Sequence, residues 1–265
     1  MTTLPPGTSV GSARRPLLIV GLIVLVLVVG SAAWLLISRV LLRSAVDLTA
    51  QSAAAGATSV TVVVDNADVQ VRPSTDGQVH VHATGSASGT DPVVTAAPSG
   101  SGIEVRAVCG GSWLSWCSLD VTVEMPAELP MTLNGDNGDV DVQGITAALS
   151  VYTDNGAITL DSPSGTVTAM SDNGRIEIDN STATQLKIET DNGDVSVTNR
   201  VAPTSLTATT DNGSIELEVP GDQKYVLDTQ TDNGTVDVKV GVDSDSPHRI
   251  TATTDNGDIS VRPIG

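Results

Sequence analysis

Side chains able to do chemistry are few in this chain and fall into four groups. His80 and His82 stand two apart, a spacing that puts both on one face of a β-strand. They form a candidate metal or proton site, although two imidazoles are too few for zinc without further ligands. His248 is distant in sequence. Cys109 and Cys117 bracket CGGSWLSWC and suit a local disulfide in an oxidising compartment better than a nucleophile. Trp113 and Trp116 lie inside that segment, as anchors for a partner or a sugar ring, or as a plug over the end of a repeat stack.

The fourth group is a triplet written seven times: Asp136-Asn137-Gly138, Asp154-Asn155-Gly156, Asp172-Asn173-Gly174, Asp191-Asn192-Gly193, Asp211-Asn212-Gly213, Asp232-Asn233-Gly234 and Asp255-Asn256-Gly257. Aligned carboxylates and carbonyls would suit calcium. Against it, the Gly-Gly-x-Gly-x-Asp pattern of calcium-binding rolls is missing and stacked like charges repel, so no metal or other cofactor is assigned and calcium stands only as the alternative. No Ser, Cys or Lys sits in a nucleophile motif. The chain therefore reads as a non-enzyme with no catalytic residue; a carboxylate-driven, polysaccharide-active β-helix is the competing reading.

The triplets sit inside a larger unit that must position them. Five residues before each Asp come Met131, Leu149, Val167, Leu186, Leu206, Leu227 and Ile250, and immediately before it a Ser or Thr in six copies, with Gly135 in the first. After each Gly an alternation resumes, as in Ile158 and Leu160 or Ile176 and Ile178, with polar residues such as Glu177 between. Period two with polar outer positions predicts half-buried strands on both sides of each triplet. Gly accepts positive φ, Asn tolerates the left-handed region and Asp can bond its own backbone, so the triplet reads as a turn.

Successive Asp residues are 18, 18, 19, 20, 21 and 23 apart, the growth lying wholly between units. A β-solenoid, like stacked on like about 4.8 Å apart, is the favoured fold. An array of β-hairpins is the alternative, because Asn-Gly is also a favoured two-residue hairpin turn. Upstream, VTVVVDNADVQV (Val60 to Val71) reads as a decayed first copy with Ala67 in place of Gly. At the other end Pro263 is placed to blunt an exposed last strand.

From Pro16 to Ser38 the chain has 23 residues without a charge. About 20 apolar residues as a helix cross a bilayer, so a single transmembrane helix is expected; Arg39 and Arg43 follow it where a cleavage site would need small residues. The expected organisation is a cytoplasmic tail over 1–15, the helix over 16–38, a linker over 39–57 and the β-repeat domain over 58–265. Arginines flank the helix on both sides, so charge alone does not orient it. Residues 1–44 hold four Arg and no acid, leaving 9 basic and 31 acidic residues beyond, a net of 9 − 31 = −22. That acidity excludes a nucleic-acid binder and, with the cysteine pair, places the bulk of the chain outside the membrane.

The leading apolar helix, VTVEMPAELPMTLNGDNGDVDVQG and the repeated TDNGxIxL units together resemble the bacterial DUF4097 family, a group of adhesin-like β-strand repeat proteins. The resemblance covers roughly Thr58 to Gly265 and implies an extracytoplasmic β-helix-like domain on the envelope, with some relatives associated with envelope-stress sensing. It brings no catalytic residues. The expected function is display of an acidic β-repeat rod for adhesion or scaffolding, with cell-wall glycan or another envelope protein as partner. The alternative is a sensing or regulatory component that acts through a membrane partner.

Overall fold

The computed structural model describes residues 14–41, 44–110 and 116–265, with side chains described over 20–34 within the helix. Trp113 lies outside the described residues. The chain divides into two units, 1–43 and 44–265.

The first unit contains α1 (Arg14–Leu41), whose residues from Val20 to Val29 and Trp34 hold their large apolar side chains 53–72 % exposed. Among the described residues no helix is long and apolar enough to cross a membrane. The span expected over 16–38 extends on both sides of the described side chains.

The second unit is all-β. Its strands in chain order are β1 (Ser44–Ala53), β2 (Val60–Pro73), β3 (Gln78–Ser88), β4 (Val93–Ser99), β5 (Gly102–Val108) and β6 (Trp116–Met125). The repeats follow as strand pairs around each triplet: β7 (Met131–Asn137) with β8 (Val140–Gln143), β9 (Leu149–Asn155) with β10 (Ile158–Asp161), and β11 (Val167–Asn173) with β12 (Ile176–Ser181). Next come β13 (Gln185–Asn192) with β14 (Val195–Asn199) and β15 (Ser205–Asn212) with β16 (Ile215–Val219). The last are β17 (Lys224–Asn233) with β18 (Val236–Val238), β19 (Gly241–Val242), and β20 (Arg249–Asn256) with β21 (Ile259–Pro263).

The two strands flanking a triplet do not pair with each other. Each pairs in parallel with its counterpart in the neighbouring repeat, as Val167 with Leu149 and Leu186, or Ile176 with Ile158 and Val195. The triplet is therefore a corner between two sheets, and the hairpin array is not what forms. This is a solenoid-like arrangement: each repeat is one coil and residues of one type lie over their own kind. The inward positions Leu133, Val151, Ala169, Ile188, Ala208 and Ala252 of one sheet, with Val140, Ile158, Ile176, Val195, Ile215 and Ile259 of the other, are buried. Small and branched aliphatic residues fill this space because the in-register strands leave a narrow, uniform gap, which accounts for a chain without a single Phe.

Coil order in space departs from coil order in sequence at both ends. The C-terminal strand β20 pairs with β15 on one side and β17 on the other, and β21 likewise lies between β16 and β18. The seventh repeat is thus inserted between the fifth and the sixth. Pro263 pairs with Val219, so the edge it was expected to blunt is not an edge. At the other end β2, the decayed copy, bends across both sheets and lies between the β5/β6 coil and the β7/β8 coil.

The N-terminal end is closed by antiparallel strands. In one sheet β3 pairs with β6 and β1 with β3; in the other β4 pairs with β5. Residues 44–53, expected within a 39–57 linker, form β1 instead, with Val46 and Ser52 buried against the stack. The reason is the row of unpaired β3 backbone groups, which this segment satisfies along its whole length.

Candidate binding edge

Three positions of the repeated corner, the hydroxyl residue, the Asn and the Gly, contact the adjacent coil, each in its own way. The Ser or Thr ahead of the Asp donates its hydroxyl to a glycine carbonyl: Ser171 to Gly156 at 3.1 Å, Thr190 to Gly174 and Thr210 to Gly193 at 3.0 Å, Thr254 to Gly213 and Thr231 to Gly257 at 2.9 Å. The Asn amides form one continuous ladder at 3.0–3.1 Å running from Asn66 through Asn137, Asn155, Asn173, Asn192, Asn212 and Asn256 to Asn233, in which each Nδ2 donates to the Oδ1 of the Asn before it in this order. Such amide ladders stabilise stacked in-register strands.

The glycine is required by proximity. A Cβ on Gly156, Gly174, Gly193, Gly213, Gly257 or Gly234 would lie 1.9–2.2 Å from the carbonyl oxygen of the glycine in the adjacent coil. Left-handed backbone, the reason expected from the sequence, does not explain most of these positions: among the repeat corners only Gly138 and Gly257 have φ between +20° and +160°, and no corner Asn does. Gly138 itself approaches the Ala67 carbonyl.

One position past the glycine, a second ladder runs beside the first. Asp139 N–H donates to Asp68, Ala157 N–H to Asp139, Ser214 N–H to Asp194, and Thr235 N–H and hydroxyl to Asp258 at 2.8 Å. Those Thr235 bonds hold the Asp258 carboxyl below its ordinary pKa. The triplet Asp side chains are exposed, and among the described residues none of the seven has an ion-pair partner. One edge of the domain is therefore a row of amides flanked by unneutralised carboxylates.

The disulfide and Trp116 stand at one end of this edge. Cys109 and Cys117 are bonded, with Cα atoms 5.9 Å apart. Trp116 is 42 % exposed and lines a cleft of about 300 Å3 with Asn66, Ala67, Asp68, Asn137 and Gly138, at the start of the ladder. It stands on the edge, whereas the end of the stack is covered by β1, β3 and β4.

His80 and His82 do share a strand face, but they do not converge on a common centre. His80 Nε2 is hydrogen-bonded to Asp76 at 2.8 Å and His82 Nε2 to Asp47 at 3.0 Å. The His80 bond, with the Gln78 N–H, depresses the Asp76 pKa. A shallow cleft of about 720 Å3 runs beside them past Arg72 and Glu124, which pair at 3.0 Å. Among the described residues no group of three or more His, Cys, Asp or Glu is placed to hold a metal ion. His248 lies elsewhere, its Nδ1 3.0 Å from the Pro203 carbonyl and its ring 6.1 Å from that of Tyr225. Burial, then the nearby Asp222, pushes the Tyr225 hydroxyl up to about 12 while it donates to the Pro220 carbonyl.

The family model described as Toastrack DUF4097 matches residues 118–262, more than half of the chain. The chain belongs to the DUF4097 Toastrack family. The match begins inside β6, yet the Toastrack stack extends further: β2 is a full coil and β1, β3 and β4 cap it. No curated protein matches. Among solved structures, a "putative cell adhesion protein" of Clostridium sporogenes is 10 % identical with TM-score 0.40, covering 83 % of this chain and 100 % of its own. A "putative adhesin" of Bacteroides fragilis is 12 % identical with TM-score 0.49, covering 83 % of this chain and 97 % of its own. Neither TM-score reaches 0.5, and no argument rests on them.

Two features escaped the sequence reading. The first is the hydroxyl-to-carbonyl ladder, signalled by the Ser or Thr that precedes Asp in six copies. The second is the coil order. Its signals are Thr229 at an otherwise aliphatic inward position, which marks the sixth repeat as outermost, and the near-identity of TATTDNG at 207 and 251, which face each other.

Proposed function

We propose that this Toastrack chain is a single-pass envelope protein whose β-repeat domain, outside the cell membrane, acts as a non-enzymatic binding or scaffolding rod. The observation that carries this reading is the corner edge: a straight row of amides and unpaired carboxylates at fixed spacing, with a half-exposed tryptophan beside a disulfide at one end. Such a row suits multivalent contact with a basic or cation-bridged envelope polymer or protein. Anchoring rests on the uncharged run from Pro16 to Ser38 and on the exposure of the described α1 side chains. The disulfide and the excess of acid beyond residue 44, 9 basic against 31 acidic residues, favour the extracytoplasmic side. The groups with displaced pKa values, Asp76, Asp243, Asp258 and Tyr225, are scattered and each is explained by its own local bonds or burial, which is the pattern of a scaffold.

The test is co-sedimentation of the compact unit, residues 44–265, with isolated cell envelopes. Retention at low salt is expected, weakening as salt screens the carboxylates and falling further in Trp116→Ala. Absence of binding at every ionic strength would leave the domain as a spacer or as a regulator acting through a membrane partner.

A further inference from the structure

All seven triplets contain Asn-Gly, the dipeptide in which a backbone nitrogen most easily attacks the preceding side-chain amide, because glycine offers no Cβ to hinder the approach. The fold treats the seven very differently. In six of them the glycine N–H is committed to the next coil: Gly138 donates to the Asn155 carbonyl, Gly156 to Asn173, Gly174 to Asn192, Gly193 to Asn212, Gly213 to Asn256 and Gly257 to Asn233, at 3.0–3.2 Å. Their asparagine side chains are held on both sides by the amide ladder, except that Asn137 ends against Asn66 of the decayed coil.

The seventh is Asn233-Gly234, on the coil that the inserted C-terminal repeat has displaced to the end of the stack. Among the described residues no further coil lies beyond it. Among the described residues the Gly234 N–H finds no acceptor and no amide donates to Asn233 Oδ1; only its Nδ2 is used, to Asn256 at 3.0 Å. Gly234 is exposed, whereas the other six corner glycines are half-buried.

We propose that Asn233 is a self-modification site, the one asparagine of the ladder that deamidates in the folded protein. The Gly234 nitrogen gives its proton to solvent base and bonds to Asn233 Cγ; the Cγ–Nδ2 bond breaks and ammonia leaves, closing a cyclic imide. Water then opens the ring at either carbonyl, giving aspartate or isoaspartate. The net change is amide nitrogen for carboxylate oxygen, with no oxidant or reductant. It adds a carboxylate beside Asp232 at the free end of the acidic row, and the isoaspartate product lengthens the corner by one backbone methylene.

Incubating the purified full chain at neutral pH and mapping its peptides by mass spectrometry tests this, with an unfolded sample in urea as reference. In urea the eight Asn-Gly steps of the chain, the seven of the triplets and Asn134-Gly135 within β7, should convert at similar rates. In the folded chain Asn233 should convert about tenfold or more faster than any of the other seven, whose attack requires local opening of the stack. Conversion at Asn233 no faster than at the other seven in the folded chain would overturn the proposal.

Discussion

Asn212 and Asn256 are 44 residues apart in sequence and share a 3.0 Å amide hydrogen bond as direct neighbours on adjacent coils. Between them the chain runs out through the whole sixth repeat and returns. The β20/β21 pair is therefore gripped on both sides and lies interior to the stack, although in sequence it follows the coil that stands outside it. The opposite end mirrors this, with β2 held between two coils that follow it in sequence.

Removing residues 249–265 should consequently do more than trim an end. It strips β15 and β16 of a neighbour and leaves β17 and β18 without the coil they pair with, since among the described residues β18 pairs only with β21. A Tm fall of about 10 °C or more is expected, together with new proteolytic cleavage after Lys224 and Lys239. A truncated chain that melts like the intact one would mean that the sixth coil can dock directly on the fifth.

Gly174→Ala tests the close approach at the corner. The added methyl would meet the Gly156 carbonyl at 1.9 Å, with backbone on both sides of the contact. A loss of about 2–3 kcal/mol is expected from equilibrium denaturation. Gly56→Ala supplies the comparison: its Cβ would enter open space at φ +81°, so only the backbone conformation resists it, at about 1 kcal/mol.

Strand periodicity, the seven-fold repeat and the decayed copy at Val60 were legible because each depends on local alternation, and the structure places Val60, Val62, Val69 and Val71 in the core as that alternation requires. The left-handed backbone expected of Asp-Asn-Gly is absent from most corners for a physical reason. A hairpin corner and a solenoid corner select the same residues, one through φ and the other through packing against the next coil, and a single sequence does not separate the two. Coil order was hidden because pairing is set by non-local backbone contact. The edge was legible in composition, while its continuation into Trp116 depends on β5 and β6 flanking β2.

A pair of threonines separates hydrogen bonding from shape. Thr190 donates to the Gly174 carbonyl at 3.0 Å, whereas Thr153 Oγ1 is buried without a partner. Thr190→Val should lower stability by about 1 kcal/mol, and Thr153→Val should leave it unchanged or raise it, because removing an unsatisfied buried hydroxyl relieves its desolvation cost. Equal losses in the two variants would refute the assignment of the ladder.

The carboxylate row should make the fold sensitive to salt. Seven like charges on adjacent coils, about 4.8 Å from one strand to the next, repel along the edge and are exposed to counterions. Thermal melting at neutral pH should shift upward as sodium chloride is added, and Asp172→Asn should both raise Tm at low salt and flatten the salt dependence. A Tm indifferent to salt would show that the row carries little repulsion.

Acid sensitivity should be traceable to Asp258. Its carboxylate accepts from the Thr235 N–H and hydroxyl, which lowers its pKa in the folded chain from the ordinary 3.8. A group depressed in this way contributes stability above its unfolded pKa and loses it as pH falls through the folded value. The intact protein should therefore lose part of its Tm between about pH 4 and pH 2 through this site. Asp258→Asn keeps an oxygen acceptor but cannot titrate, so its Tm should fall less over the same interval.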